Sequence, residues 1–492
     1  MGNLKEHEIT LQEVIYKPKS STGGSTKLNQ ENEEKKMTSP FLYFVSFIVN
    51  LMSATFGILA VWISPVSLKL LSNNSDINPL EEPVTPVELS LLGSLPVLGN
   101  LIGFLLVGNC FDIYGRRKGL LVISAIITAD LICLAFSTHI VLYYIFLFMN
   151  GFAFAAGMLG TTMYSSEISE DHNRAKLACF ISMGLPLGSL FGYAAGPICS
   201  VKLFTLLCTL PMAIYFVIFI TILPESPVYL IMKGNINGAK IALSRLRNKS
   251  HRFVSKEVET IEIALSVSSK SETSATFVSL VKNKSTRKRL ILANMVWAFA
   301  FLTGAPGLMS FLGIIFEESG TGVSPFISSI VAATVQVICA FVASFIVESY
   351  GRRCLLLISS LGCSIPLSLL GLFFWLKQQG SPLMESIGWM PVTSVILFCI
   401  VNGIGFGCVP MVLLSEIFPV NVRPIAISFI MVNNDLIMGF VIFLFPIMMS
   451  TFGLYWVFWI HSLLCIISFI FIYFYLPETK GKSVLEMEKL FT

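Results

Sequence analysis

Charge is scarce in this sequence. Asp, Glu, Lys and Arg make up 13% of the 492 residues, and hydrophobic residues reach 54%. A soluble domain carries about 25% charged residues, so this deficit excludes a water-soluble globular protein. A net charge of +4 is too small to point to nucleic acid. Paired cysteines are missing too. The 11 cysteines stand singly, mostly inside apolar runs, with no CxxC or CxxH spacing. They read as small hydrophobes, not as a disulfide or metal framework. Of the 5 histidines, His139 and His461 lie near the ends of apolar runs without accompanying ligands, so no metal site is expected. No Walker sequence, phosphate-binding glycine loop or nucleophile elbow occurs. That argues against an ATP-driven pump and against an enzyme, and no cofactor is expected. Residues 1–39 are polar, rich in Lys, Glu, Ser and Asn, and lack the pattern of a signal peptide. They read as a disordered tail. Glu6 stands where a myristoylation motif needs Ser or Thr.

Apolar runs of about 20 residues, the length that crosses a bilayer core, are abundant. Twelve are expected, at 41–65, 88–110, 119–138, 140–164, 176–199, 203–223, 290–316, 324–347, 354–376, 388–415, 424–449 and 453–476. Lys and Arg concentrate in alternate links. Those at 111–118, 171–176, 224–289, 348–353 and 416–423 are basic, whereas 66–87, 200–202, 317–323 and 377–387 hold only Lys69, Lys202 and Lys377. By the positive-inside rule, both termini and the loop 224–289 are expected in the cytoplasm of a multi-pass plasma-membrane protein. Asn73 begins a glycosylation sequon in the first outer link. From Asn237 to Val267, apolar residues at helical spacing predict short amphipathic helices beneath the bundle. Lys282 to Arg289 forms a basic cluster suited to anionic headgroups.

The few charges repeat. Asp112-x2-Gly115-Arg116-Arg117 returns as Glu348-x2-Gly351-Arg352-Arg353, 236 positions on. Glu167-x6-Arg174 returns as Glu416-x6-Arg423 at an offset of 249, and Pro224-Glu225-Ser226 as Pro477-Glu478-Thr479 at 253. Three signatures in one order, at nearly one spacing, mean two copies of a unit built of membrane spans. The expectation is an all-α membrane protein with twelve transmembrane helices in two pseudo-symmetric six-helix bundles. The bundles fall at 40–223 and 290–476, a linker at 224–289, and cytoplasmic tails at 1–39 and 477–492. Arginine binds carboxylates bidentately and fixes helix ends against one another. Asp112, Arg116, Arg117, Glu167, Arg174 and Glu225, with Glu348, Arg352, Arg353, Glu416, Arg423 and Glu478, are therefore expected to form a cytoplasmic gate. It holds that side shut and comes apart when the halves rock.

At these residues the chain resembles the sugar porter branch of the major facilitator superfamily. The matching stretches are Gly108-x3-Asp112-x2-Gly-Arg-Arg with its repeat, Glu167-Ile-Ser with Arg174, and Pro224-Glu-Ser-Pro-Val-Tyr-Leu230. Ser415-Glu-Ile-Phe-Pro with Arg423-Pro424 and Pro477-Glu-Thr-Lys-Gly481 complete the set, over about residues 40–485. Trp62-Ile-Ser-Pro65 resembles insect facilitated trehalose transporter-like proteins. The resemblance implies a carrier working by alternating access, monomeric, with a small neutral solute as its partner besides the bilayer.

A site for a hydroxyl-rich solute needs Asn, Gln, Ser and Thr groups inside the bundle above an apolar floor. The resemblance carries such positions onto this chain with departures. A family glutamine falls on Ser182. The family stretch Gln-Gln-Leu-Ser-Gly-Ile-Asn becomes Ala300-Phe301-Leu302-Thr303-Gly304-Ala305-Pro306. A family asparagine becomes Gln336, and Gly-Pro-x-Pro-Trp becomes Gly407-Cys408-Val409-Pro410-Met411. Asn434 is kept, followed by Asp435 in place of a tryptophan. The expected substrate contacts are Ser182, Thr303, Gln336, Asn402, Asn434 and Asp435, with Asn433 beside them. Asp130 and Asp435 sit mid-span, where an acid costs about 2.5–3.5 kcal/mol and faces an interior cavity. Proton-coupled members place an acid in the first span, but Phe56-Gly-Ile-Leu59 has none. Facilitated diffusion of a trehalose- or hexose-like sugar is therefore the expectation. A proton-coupled porter, a porter of a non-sugar solute and a transporter-like sensor are the alternatives. The short stretch after Pro477 argues against the sensor.

Overall fold

The computed structural model describes residues 39–80, 82–107, 110–170, 173–270, 282, 284–320, 324–418, 422–480 and 482. The tails expected at 1–39 and 477–492 lie largely outside them. Long apolar helices dominate, and no strand occurs among the described residues. The solvent dictates this. A helix satisfies its backbone N–H and C=O groups within one segment, so a single segment can cross lipid.

Eleven helices are long and apolar enough to cross a membrane among the described residues. They are Pro40–Leu70, Pro86–Val107, Arg116–Ala135, Ile140–Ile168, Val201–Thr221, Lys284–Ser310, Pro325–Val347, Arg352–Gln378, Met390–Ile417, Ile425–Phe452 and Leu454–Tyr475. Arg174–Ala195, with 22 residues and so about 33 Å long, stands between the fourth and fifth of these. Taken with it they are spans 1–12 in chain order, six before the linker and six after. Residues from Phe41 onward form one compact unit. Span 7 starts at Lys284 rather than at 290, because Lys and Arg continue a helix as readily as Leu does. Span 1 runs past residue 65 to Leu70, through a turn at Trp62 whose Nε1 donates to Thr205 Oγ1 at 3.1 Å.

Glycine sets the packing. A Cβ on Gly99 of span 2 would lie 2.0 Å from Phe148 O, and one on Gly151 of span 4 would lie 1.8 Å from Pro96 O. Gly57 and Gly188 bring spans 1 and 5 equally close, with added Cβ atoms 2.0 Å from Leu185 O and 1.9 Å from Ala54 O. Apolar side chains gain nothing by leaving lipid for one another. Close van der Waals contact between small-residue faces supplies the attraction instead. This accounts for the glycines that interrupt the apolar run of span 2. Between the halves, span 11 packs along span 2 and span 8 along span 5.

Three short helices follow span 6: Pro227–Met232, Ile236–Arg247 and His251–Lys270. Ser226 Oγ caps the first by accepting from Tyr229 N at 3.3 Å, and Asn235 Oδ1 caps the second by accepting from Gly238 N at 2.9 Å. They bury a small core of their own from Ile231, Ala239, Leu243, Val254 and Val258.

Candidate functional site

Two spans are broken, and a cavity sits at the breaks. Span 7 stops at Leu302 and resumes at Ala305, and span 10 stops at Ile404 and resumes at Val409. At the first break Gly304 has φ +80°, a left-handed conformation that glycine adopts without strain. Pro306 stands in the first turn of the resumed helix, where its missing N–H costs nothing. Thr303 Oγ1 donates to Ala300 O at 2.8 Å and accepts from Ala305 N at 3.4 Å, so it closes the turn. At the second break, Phe406 N donates to Ser359 Oγ at 3.3 Å and Cys408 Sγ donates to Ile404 O at 3.3 Å. Irregular backbone at membrane depth is tolerated where it is buried in protein or lines a cavity. A cavity of about 220 Å³ lies between these breaks. The side chains that line it are mostly apolar, with Trp297, Phe301, Pro306, Phe406 and Met411 among them. The polar exception is Asn402, whose Oδ1 is buried without a hydrogen-bond partner.

A cluster of amides lies below the cavity. Asn294 Oδ1 accepts from Asn433 Nδ2 at 2.9 Å and from Asn434 Nδ2 at 3.0 Å, which ties span 7 to span 11. Asn434 is fully buried and its Oδ1 has no partner. Asp435 Oδ2 accepts from Asn100 Nδ2 of span 2 at 2.9 Å, a bond between the halves. Asp130 of span 3 accepts from Asn150 of span 4 inside the first half. On the far side from the basic links, Tyr193 Oη donates to Met309 O at 2.6 Å and Gly313 N donates to Ser64 Oγ at 3.0 Å. These bonds join spans 1 and 5 to span 7 and the turn after it, at the end of the bundle away from the basic links.

The charged corners form two matching sets. Arg116 reaches Asp112 Oδ1 at 3.0 Å and Glu167 Oε1 at 2.8 Å, while Ser226 Oγ donates to Glu167. In the second half Arg352 reaches Glu416 Oε1 at 2.7 Å, and Thr479 Oγ1 donates to Glu416 Oε2 at 2.5 Å. Glu225 Oε1 accepts from Arg117 N at 2.8 Å, and Glu478 accepts from Arg352 N at 2.9 Å and Arg353 N at 3.2 Å. The equivalence extends to backbone carbonyls. Arg116 donates to Phe111 O as Arg352 donates to Val347 O, at 3.2 and 3.1 Å. Arg247 of the linker donates to Ile168 O at 2.7 Å, and Arg289 of span 7 donates to Ile417 O at 3.2 Å. Those two carbonyls are themselves equivalent positions of the repeat. Arg423 donates to Phe418 O at 3.2 Å. Among the described residues these corners bond within one half. The described side-chain bonds that join the halves lie at mid-height and at the end away from the basic links.

The structure thus gathers Thr303, Asn402, Asn434 and Asp435 around spans 7, 10 and 11. Ser182 is exposed on span 5 and Gln336 half-buried on span 8, which packs along span 5. Asn73 is exposed in the link after span 1. The side chains of Arg174 and Glu348 lie outside the described residues. Sequence reasoning missed Asn294, Asn100 and His461. His461 Nδ1 lies 3.0 Å from Leu302 O, and since a carbonyl only accepts, Nδ1 carries the proton and donates. The ring stacks on Phe445 at 6.2 Å and blocks the space a Cβ on Gly304 would need, at 2.6 Å. It caps the carbonyl that the break in span 7 frees.

The Sugar (and other) transporter family matches residues 31–491. A facilitated trehalose transporter, Tret1, of Culex quinquefasciatus is 26% identical over 99% of this chain and 93% of its own length. The Tret1 of Apis mellifera ligustica is 28% identical over 92% of this chain and 89% of its own. In fold the chain is similar to the xylose transporter XylE from E. coli in an inward open conformation. The TM-score is 0.74 at 20% identity, covering 92% of this chain and 100% of that one.

Proposed function

The chain belongs to the Sugar (and other) transporter family, and from that premise we propose that it carries a sugar-like solute down its gradient by alternating access. The observation that carries this reading is the cavity between the paired breaks of spans 7 and 10. Asn402, whose buried amide oxygen Oδ1 has no partner, stands among mostly apolar side chains in its lining. A hydroxyl that donates to Asn402 Oδ1 gains the bond that the oxygen lacks, while Trp297 and Phe301 offer apolar faces to a sugar ring. The relatives named as trehalose transporters support a trehalose- or hexose-like solute. The apolar lining favours a second reading, a less hydroxylated solute carried by the same route.

In this reading the basic links face the cytoplasm, Asn73 lies outside, and the carrier works as a monomer in the plasma membrane. The paired corners at Arg116–Glu167 and Arg352–Glu416 hold the cytoplasmic helix ends of each half in register. The twelve gate residues, Arg174 and Glu348 among them, act half by half and so let each half rock as a rigid body.

The test is counterflow. Proteoliposomes holding the purified chain are loaded with unlabelled trehalose, glucose, fructose or a polyol and offered the labelled solute at equal concentration. Transient accumulation of label for one solute is the expected result. Equilibration without overshoot would indicate a channel, and no movement of any sugar or polyol would leave the non-sugar reading in its place.

A further inference from the structure

Asp435 and Asn100 form a half-completed pair at the contact between the two halves. Asp435 is 9% exposed and Asn100 6%. Asn100 Nδ2 donates to Asp435 Oδ2 at 2.9 Å, but the other end of the same amide, Asn100 Oδ1, is buried with no partner. A carboxylate has no hydrogen to offer that oxygen, whereas a carboxylic acid does. The surroundings hold no counter-charge. Span 2 carries Glu88 at its outer end, bonded to Thr85. Span 7 carries Lys284, Arg287, Lys288 and Arg289 at its basic end, Arg423 stands just before span 11, and span 12 carries His461, which is bonded to Leu302 O. Span 10, which also meets span 11, carries Glu416, paired with Arg352. Among the described residues none of these is within ion-pair distance of Asp435. An isolated carboxylate buried at such a contact is costly, and a proton removes the charge.

We propose that Asp435 and Asn100 form a proton-binding site that fastens the halves in the conformation seen here. This rests on the reading of the chain as an alternating-access carrier. With the proton bound, amide and acid exchange two hydrogen bonds, one in each direction, across spans 2 and 11. Without it a single bond remains, a buried charge is unpaired, and the halves separate more readily. The joined state therefore binds the proton more tightly than the parted state, and by linkage acid favours the joined state. The proton comes from water and returns to it when the halves part, with no other group changed.

The experiment follows conformation without any sugar. Spin labels on cysteines introduced at Ile198 and Leu383, exposed positions on the outer links of the two halves, report the distance between them. Lowering the pH from about 8 to about 5 is expected to raise the ratio of short to long distances about fivefold, the effect of one added hydrogen bond. Asp435→Asn places an amide opposite an amide, so both bonds form at every pH. Its distances are expected to stay short and to ignore pH. Asn100→Leu leaves Asp435 without either bond and is expected to favour the long distance, relative to the unsubstituted pair, at every pH. A ratio in the unsubstituted pair that does not move with pH overturns the proposal, as does a pH response that survives Asp435→Asn. Counterflow on the same samples keeps the two readings apart. Transport without a pH response of the distances sinks the proton site, and a pH response without transport of any solute sinks the carrier.

Discussion

Asn402 stands beside the break in span 10 and His461 caps the one in span 7, and one of them was legible in advance. A polar residue inside an apolar run is conspicuous, so Asn402 could be named from sequence; its unpartnered Oδ1 is a property of the fold. Asn402→Leu is expected to raise the KM for the carried solute about fivefold to tenfold, the worth of one hydrogen bond, and to leave the maximal rate nearly unchanged. Initial uptake rates at graded solute concentrations check this. His461 was invisible because its partner, Leu302 O, lies 159 positions away and is free only because span 7 breaks there. Sequence reading weighed this histidine as a metal ligand and found no companions. His461→Phe keeps the ring against Phe445 but strands the carbonyl, at a cost of about 1–3 kcal/mol. Turnover should fall about tenfold, with partial recovery in His461→Gln, which restores a donor. Equal turnover in all three forms would remove the cap from the account.

At the scale of the element, the spans were legible because lipid permits so little besides apolar helices. The breaks were not. Ala300 to Pro306 looked like a loss of polar groups, while its conformational message, a glycine able to take positive φ followed by a proline, went unread. The close faces were half legible. Glycines within spans 1, 2, 4 and 5 signal near approach, but which helix each one meets is decided only by packing. Gly188→Leu forces a side chain into Ala54 O and is expected to cost about 1–3 kcal/mol or more as overpacking. Thermal unfolding of the detergent-purified protein should show a lower midpoint. An unchanged midpoint would mean that spans 1 and 5 stand farther apart.

For the whole molecule, duplication was the clearest message of the sequence, since rare charges in a fixed order cannot be mistaken for lipid-facing filler. What the sequence could not say is that, among the described residues, each set of charges closes upon itself. Motif spacing fixes which residues recur, whereas pairing depends on how helix ends meet in space. Because the corners are equivalent, Glu167→Gln and Glu416→Gln should act alike. Each removes one ion pair from a half-buried corner, at 13% and 23% side-chain exposure. Each is expected to loosen the helix ends of its own half, at a cost of about 1 kcal/mol of stability. The thermal unfolding midpoint of the detergent-purified protein would measure the loss, and a drop in only one of the two variants would break the equivalence.

The arginines that cap Ile168 and Ile417 lie on opposite sides of the linker's middle, Arg247 before it and Arg289 after it. Each therefore travels with the half whose carbonyl it holds. A gene divided between the codons for Lys270 and Lys284 would yield two fragments, each with its own clasp intact and with span 11 still matched to span 2. Expressed together, such fragments should find one another in the bilayer and restore counterflow, whereas fragments divided before Arg247 would leave the first partner unclasped.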